Sequence, residues 1–274
     1  MKQRILSAAV IIIVLAGLLY LHSWFLVGAI VLLSLVVQYE MIKAFKQAGV
    51  KLVSPILYAF ALLTMPIYYF YGLPAVFVLQ MFAVCLIFVA ATLFRKTLNF
   101  DSIMASVFNI YYPQMFFVFF YMILFVKDAN GVWDIELSRL MILIAIGCSV
   151  MTDTAAYFVG TFFGKTKLCP EISPKKTVEG ALGGLVGGVV GVQVIAILFD
   201  NGRVHLVEYL VFSFLLSVLA QVGDLAASLI KRKLGIKDYA NTIPGHGGFM
   251  DRIDSTLFIL PIVYLFYHLY LGLG

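Results

Sequence analysis

The sequence predicts an all-α, polytopic integral membrane protein with about nine transmembrane helices, N-terminus cytoplasmic and C-terminus outside. Three observations carry this. Of 274 residues, 63% are hydrophobic and only 12% charged, and the mean hydropathy of +1.04 lies outside the range of soluble enzymes. Apolar runs recur at the length a spanning helix needs, roughly 20 residues. The lysines and arginines are divided very unevenly between alternate connections.

The spans read as 5–21, 24–39, 55–71, 74–94, 103–126, 138–160, 178–199, 206–230 and 255–272. Their long unbroken runs do not alternate like barrel strands, so helices satisfy the backbone in lipid. The first has a basic start, Lys2 and Arg4, but no small-x-small cleavage site before a polar region, and reads as a retained anchor. Tight connections near His22–Ser23 and Gly72–Leu73 imply helical hairpins. Pro113 predicts a kink in the fifth span. In the seventh, Gly180, Gly184 and Gly188 repeat every four residues, as do Gly183, Gly187 and Gly191. That spacing lets helix backbones approach closely, within the chain or across a dimer. A scaffold of helices over 1–130 and a catalytic half over 131–274 follow from where the chemistry-bearing residues fall.

With nine spans, one side collects Lys2, Arg4, Lys43, Lys46, Lys51, Arg95, Lys96, Lys165, Lys167, Lys175, Lys176, Lys231, Arg232, Lys233, Lys237 and Arg252. The other holds only Lys127, Arg139 and Arg203. The crowded side is cytoplasmic by the positive-inside rule. The net charge of +5 is mostly this topological signal, and no nucleic-acid partner is expected. Cys85, Cys148 and Cys169 are odd in number and lack ligand spacing, which supports neither a disulfide framework nor a zinc site.

Ionisable groups inside spans cost at least a few kcal/mol and usually line a polar site. Asp153 and Asp224 each lie six or seven residues before the cytoplasmic end of their span, roughly 10 Å below the same surface. Asp224, Ser228 and Lys231 share one helix face, and Asp251 and Asp254 share another at the head of the last span. Asp224, Asp251 and Asp254 are therefore expected to converge, with Asp153 a further candidate. Carboxylates without grouped His or Cys suit a hard cation, Mg²⁺ above all, whose shell phosphate oxygens complete. A second cation is compatible with the same donors. Pro244-Gly245-His246-Gly247-Gly248 cannot hold a stable helix. Its N–H groups are expected to face an anion ahead of the last helix's N-terminus, with Lys231, Arg232, Lys237 and Arg252 as counter-charge. In Ser173-Pro174-Lys175-Lys176-Thr177-Val178-Glu179, Thr177 reads as a helix cap and Glu179 as a first-turn acid, so this stretch is structural or functional.

Residues 228–254, SLIKRKLGIKDYANTIPGHGGFMDRID, resemble the signature of CDP-diacylglycerol synthases (phosphatidate cytidylyltransferases). SPKKTVEG and the D-x-x-A-Y of Asp153 to Tyr157 resemble two further motifs of that family. The resemblance covers the C-terminal half; the first five spans match only in hydropathy. It implies a magnesium-dependent reaction of CTP with phosphatidic acid at the cytoplasmic face of the cell membrane, giving CDP-diacylglycerol and pyrophosphate, by a homodimer among membrane lipids. By the resemblance Asp224 and Asp251 are metal ligands, with Asp254 close by, and Asp224, Lys231, Arg232 and Asp251 are the catalytic candidates. Lys175, Lys176, Ser228, Lys237, His246, Gly247, Gly248 and Arg252 would bind substrate, His246 through a phosphate or by ordering its loop. Two other readings use the same residues. A CTP-dependent lipid kinase would transfer the γ-phosphoryl group, and a cation-coupled transporter would use Asp153 and Asp224 as coupling sites.

Overall fold

The computed structural model describes residues 13–14, 17, 19–21, 24–128, 130–243 and 247–271. The first predicted span and the turn at His22–Ser23 lie largely or wholly outside them. The elements in chain order are α1 (Trp24–Gln47), α2 (Ser54–Leu93), α3 (Phe100–Asn109), a π turn (Ile110–Gln114), α4 (Met115–Leu124), α5 (Ile135–Phe163), β1 (Lys167–Cys169), β2 (Ser173–Thr177), α6 (Val178–Phe199), α7 (Leu206–Lys233) and α8 (Met250–Leu271). Seven helical segments among the described residues, α3 to α4 counted as one, are long and apolar enough to cross a membrane. The chain is a multi-pass, all-α membrane protein. The only strands among the described residues form one short antiparallel hairpin, Lys167 opposite Thr177 and Cys169 opposite Ser173. It lies in a connection that the sequence reading left without regular structure.

Two breaks follow from local chemistry. α2 runs for 40 residues, but Gly72 interrupts it at φ 76°, ψ −173°. Only glycine enters that region without a Cβ penalty. The predicted turn at Gly72–Leu73 is thus a one-residue break with helix on both sides. At Pro113 the missing N–H and the ring's clash with the preceding turn coincide with the π turn. Tyr112, just before it, is driven to an extended φ −133°, ψ 119°. The kink predicted in this span sits there.

The chain divides into two units, residues 1–121 with 233–252 and residues 122–232 with 253–274. In the first, α1, α2 and α3 pack around Val53, Leu57, Phe60, Ala83, Ile87 and Ile110. Buried polar side chains there pair internally: Gln38 Nε2 donates to Asn109 Oδ1 (3.4 Å) and Gln114 Nε2 to the Ser34 carbonyl (3.0 Å).

In the second unit the helix ends are capped as the sequence dictates. Asp134 accepts from Leu137 N (2.8 Å) ahead of α5, and Thr177 Oγ1 from Gly180 N (3.1 Å) ahead of α6. Glu179 reaches back to the N–H groups of Lys165 (3.1 Å) and Thr166 (3.2 Å), so both residues are structural. The glycines of α6 face α5. A Cβ on Gly187 would lie 2.9 Å from the Met151 carbonyl oxygen, and one on Gly191 would lie 2.7 Å from Met151 Cγ. The glycine repeat is therefore used within the chain. At the far ends of α7 and α8, the Tyr209 hydroxyl donates to Asp200 Oδ1 (2.8 Å) and lies 2.5 Å from that of Tyr267.

Gly187→Ala should therefore destabilise the detergent-extracted protein by about 1–3 kcal/mol, the usual cost of overpacking. Gly28→Ala, where nothing lies within 4 Å, should be neutral or stabilising. Thermal unfolding of the two variants checks this; equal midpoints would mean that α5 and α6 do not meet on glycine.

Candidate active site

Three glycine contacts bring the charged residues of the second unit together. A Cβ on Gly184 of α6 would lie 3.0 Å from the Thr152 carbonyl of α5 and 3.4 Å from Gln221 Nε2 of α7. One turn on, a Cβ on Gly188 would clash with the hydroxyls of both Thr152 and Ser217. A Cβ on Gly223 would lie 3.0 Å from the Asp254 carbonyl and 2.9 Å from Phe258 Cβ of α8. Each glycine immediately precedes or faces a chemistry-bearing position. Thr152 precedes Asp153, Gly223 precedes Asp224, and the Asp254 backbone lies against Gly223.

The result is a compact group of charges. Lys176 Nζ lies 2.5 Å from Asp224 Oδ2, both side chains 27% exposed. Ser228 Oγ donates to Asp224 Oδ1 at 3.4 Å, the i, i+4 relation predicted for this face. Asp254 is buried, accepts from Ser255 N at 2.8 Å, and interacts electrostatically with Asp224, Lys231 and Asp153. Lys231 is buried as well, at 8% exposure. Asp153 is exposed on the surface of α5. Arg232 Nε donates to the Ile172 carbonyl at 3.1 Å, tying α7 to the hairpin that carries Lys175 and Lys176. Lys175 is exposed and Lys176 half-buried. Of the predicted residues, Asp153, Lys176, Asp224, Ser228, Lys231 and Asp254 thus form one neighbourhood.

The signature loop belongs to the first unit. Asp251 Oδ2 accepts from both Tyr239 N and Gly248 N, each at 3.0 Å. Gly247 takes φ +80° and pairs with Ile243. A side chain there would be strained and would approach Asp251 Oδ2 at 3.3 Å. His246, with Pro244 and Gly245, lies outside the described residues. Lys237 and Arg252 are exposed. Lys237 lines a cavity of about 280 Å³ with Lys43, Gln47, Asp238, Tyr239 and Asn241.

The loop's N–H groups were expected to face a substrate anion. At positions 248–250 they meet carboxylates of the protein itself. Besides the Gly248–Asp251 bond, Phe249 N and Met250 N donate to Glu40 Oε1 and Oε2 at 2.9 and 2.8 Å. The Thr242 hydroxyl also donates to Glu40 Oε1. Glu40, wholly buried on α1, is the residue that sequence reasoning missed. The second span was ended at 39, which left Glu40 in a loop. The following residues, MIKAFKQ, are good helix formers and carry α1 on to Gln47.

The sequence matches the Cytidylyltransferase family over residues 2–270, and the chain belongs to that family. It is similar to proteins named phosphatidate cytidylyltransferase: 38% identical over 192 residues to that of Bacillus subtilis (strain 168), covering 68% of this chain and 66% of the relative. To that of Aquifex aeolicus (strain VF5) it is 37% identical over 201 residues, covering 72% and 71%. To that of Staphylococcus saprophyticus it is 44% identical over 113 residues, covering 41% and 43%. The chain thus spans just under two thirds of the first relative and less than half of the last. These matches bear out the family resemblance read from the signature.

Do the residues fit the magnesium ion that the family resemblance implies? Among the described residues no three His, Cys, Asp or Glu side chains gather closely enough to hold an ion by themselves. Mg²⁺ does not require that, because it keeps waters and takes one or two carboxylates plus substrate phosphates. Asp224 and Asp254 are hard oxygen donors, and Asp224 already receives a cation, the Lys176 ammonium. The donor chemistry fits.

Because both side chains are partly exposed, the Lys176–Asp224 pair should contribute about 0.2–1 kcal/mol. A double-mutant cycle of Lys176→Met and Asp224→Asn, read by thermal unfolding, should return a favourable coupling of that size. A coupling of zero or of opposite sign would remove this pair from the folded protein.

Proposed function

We propose that this chain is a CTP:phosphatidate cytidylyltransferase that makes CDP-diacylglycerol and pyrophosphate for phospholipid biosynthesis. The observation that carries the proposal is the grouping of Lys176, Asp224, Lys231 and Asp254 within a chain that matches the Cytidylyltransferase family over nearly its whole length. Catalysis here is alignment and charge neutralisation, as phosphoryl-type transfers require. Asp224 and Asp254 would hold Mg²⁺, with Asp153 contributing to the field; the ion supplies charge neutralisation and alignment of the nucleotide phosphates. Lys176 exchanges its bond to Asp224 for one to a phosphate when substrate arrives, assisted by Lys175 from the same strand. Lys231 and Arg232 hold the phosphates near α7, and Lys237 and Arg252 do so at the signature loop. Asp251 folds that loop and is a further candidate ligand for the metal. An oxygen of the phosphatidate phosphate forms a bond to the α-phosphorus of CTP while the bond to the β-phosphate oxygen breaks and pyrophosphate leaves. A phosphate monoester, with its second pKa near 6, needs no base to ionise, so His246 is not needed as one.

The topology is part of the same proposal. The 40-residue α2 is roughly 60 Å of helix, twice the hydrocarbon thickness. Its break at Gly72 accommodates two crossings, which makes eight among the described residues. The ninth of the predicted spans, 5–21, lies largely outside them, and with it the N-terminus is inside. That puts the hairpin on the cytoplasmic side of the cell membrane, where CTP is found. A homodimer is proposed with it.

Purified protein given CTP, phosphatidate and Mg²⁺ should release pyrophosphate and CDP-diacylglycerol, and none without the metal. Asp224→Asn and Asp251→Asn should each abolish turnover while the protein still extracts as a folded species. Release of CDP with a lipid phosphate would instead establish the kinase reading, and full activity of Asp224→Asn would remove it from the site.

For topology, Cys169 and a cysteine introduced by Asn130→Cys lie beyond opposite ends of α5, whose 29 residues span roughly 43 Å. In a Cys85→Ser background, an impermeant thiol reagent applied outside intact cells should label position 130 and spare Cys169. Labelling of both from one side sinks the orientation.

A further inference from the structure

We infer that Glu40 is a positioning residue for the signature loop, an inference that rests on the proposed cytidylyltransferase activity. Three donors converge on its two oxygens: the hydroxyl of Thr242, Phe249 N and Met250 N. These groups bracket the loop, Thr242 before Pro244-Gly245-His246 and the two amides at the start of α8. One carboxylate on a different helix therefore fixes both ends of the loop. The site is built for it. Gly248 lies so close to Glu40 that a Cβ there would fall 2.6 Å from Oε2 and 2.9 Å from Cδ. Gly248 is glycine because the carboxylate must pass. Phe249 N and Met250 N would otherwise be orphan donors at a helix N-terminus, and an anion at that end is favoured by the helix dipole. Glu40 is wholly buried, and a buried carboxylate requires such partners.

The same helix then shapes the cavity. One turn beyond Glu40, Lys43 lines it together with Lys237 from the segment that leads into the loop. Asp251 holds the loop at Tyr239 and Gly248, so Tyr239, a lining residue, is fixed by one carboxylate and the loop's far end by both. Glu40 touches no substrate in this scheme. It sets the position of groups that do, and a misplacement of about 1 Å can cost on the order of 100-fold in rate.

The experiment compares wild type, Glu40→Gln and Thr242→Val in detergent, each purified as a folded species. Glu40→Gln replaces one acceptor by a donor that faces N–H or O–H groups; Thr242→Val removes one donor and keeps the shape. Amide hydrogen exchange at 247–251 should accelerate in Glu40→Gln while α5 to α7 exchange as in wild type. Its kcat/KM for CTP, per folded molecule, should fall on the order of 100-fold. Thr242→Val should fall less, roughly tenfold, the loss of one hydrogen bond to a charged group. Adding Thr242→Val to Glu40→Gln should cost little more, because the partner is already gone. Unchanged exchange at 247–251, wild-type kcat/KM in Glu40→Gln, or fully additive losses would each overturn the role of Glu40. Should Glu40→Gln fail to fold, Thr242→Val decides alone, and wild-type exchange and turnover in it sink the proposal. A wild-type protein that makes no CDP-diacylglycerol would sink the activity reading, while the exchange data still decide whether Glu40 holds the loop.

Discussion

Helix packing on glycine is the constraint on which the second unit depends. Apolar side chains gain nothing from leaving lipid for one another, so helices in a bilayer associate through close backbone contact and polar pairing. α6 meets α5 on Gly184, Gly187 and Gly191, and α7 meets α8 on Gly223. These contacts bring Asp224 and Asp254 within electrostatic reach. A larger residue at Gly223 would press on the Asp254 carbonyl and move one carboxylate relative to the other. The glycines and the charged site are one design, since charges in such a setting are tolerable only when partners are delivered to them at short range.

Much of this was legible in sequence, and the reasons are physical. Apolar runs of membrane length are the strongest pattern a sequence carries, so 178–199 coincides with α6 and 206–230 differs from α7 only at its end. The Asp224–Ser228 bond follows from helical spacing alone. What could not be read was partner choice across helices. The lysines of the hairpin looked alike, yet Lys176 meets Asp224 while Lys175 points to solvent. β1 and β2 escaped notice because strands of three and five residues are too short for a periodic signal. The glycine stripe was ambiguous between a dimer face and an internal contact, and the approach of α6 to Met151 and Ala155 of α5 separates the two.

Glu40 shows how a boundary error hides chemistry. Hydropathy falls where charged residues begin, so a hydropathy reading ends the second span at 39. Helix propensity does not fall there, and α1 continues for two more turns to Gln47. A carboxylate assigned to a loop needs no explanation. The same carboxylate inside a buried helix needs partners, and the donors that satisfy it are those of the signature loop.

Both units answer the cost of buried charge with groups of their own. In the second, Asp224 is neutralised by Lys176 and Asp254 lies in the field of Lys231. In the first, Asp251 and Glu40 take up backbone N–H groups. The two solutions differ in what they permit. An ammonium on a strand can swing away, because a partly exposed ion pair contributes only about 0.2–1 kcal/mol and a phosphate offers the lysine an equivalent partner. A carboxylate bonded to main-chain amides cannot be released without unfolding the start of α8. The Lys176–Asp224 pair is accordingly the exchangeable element of the second unit. The Glu40 and Asp251 bonds are the fixed element, holding a glycine loop that would otherwise sample many conformations at an entropic cost of roughly 1–2 kcal/mol for each residue ordered.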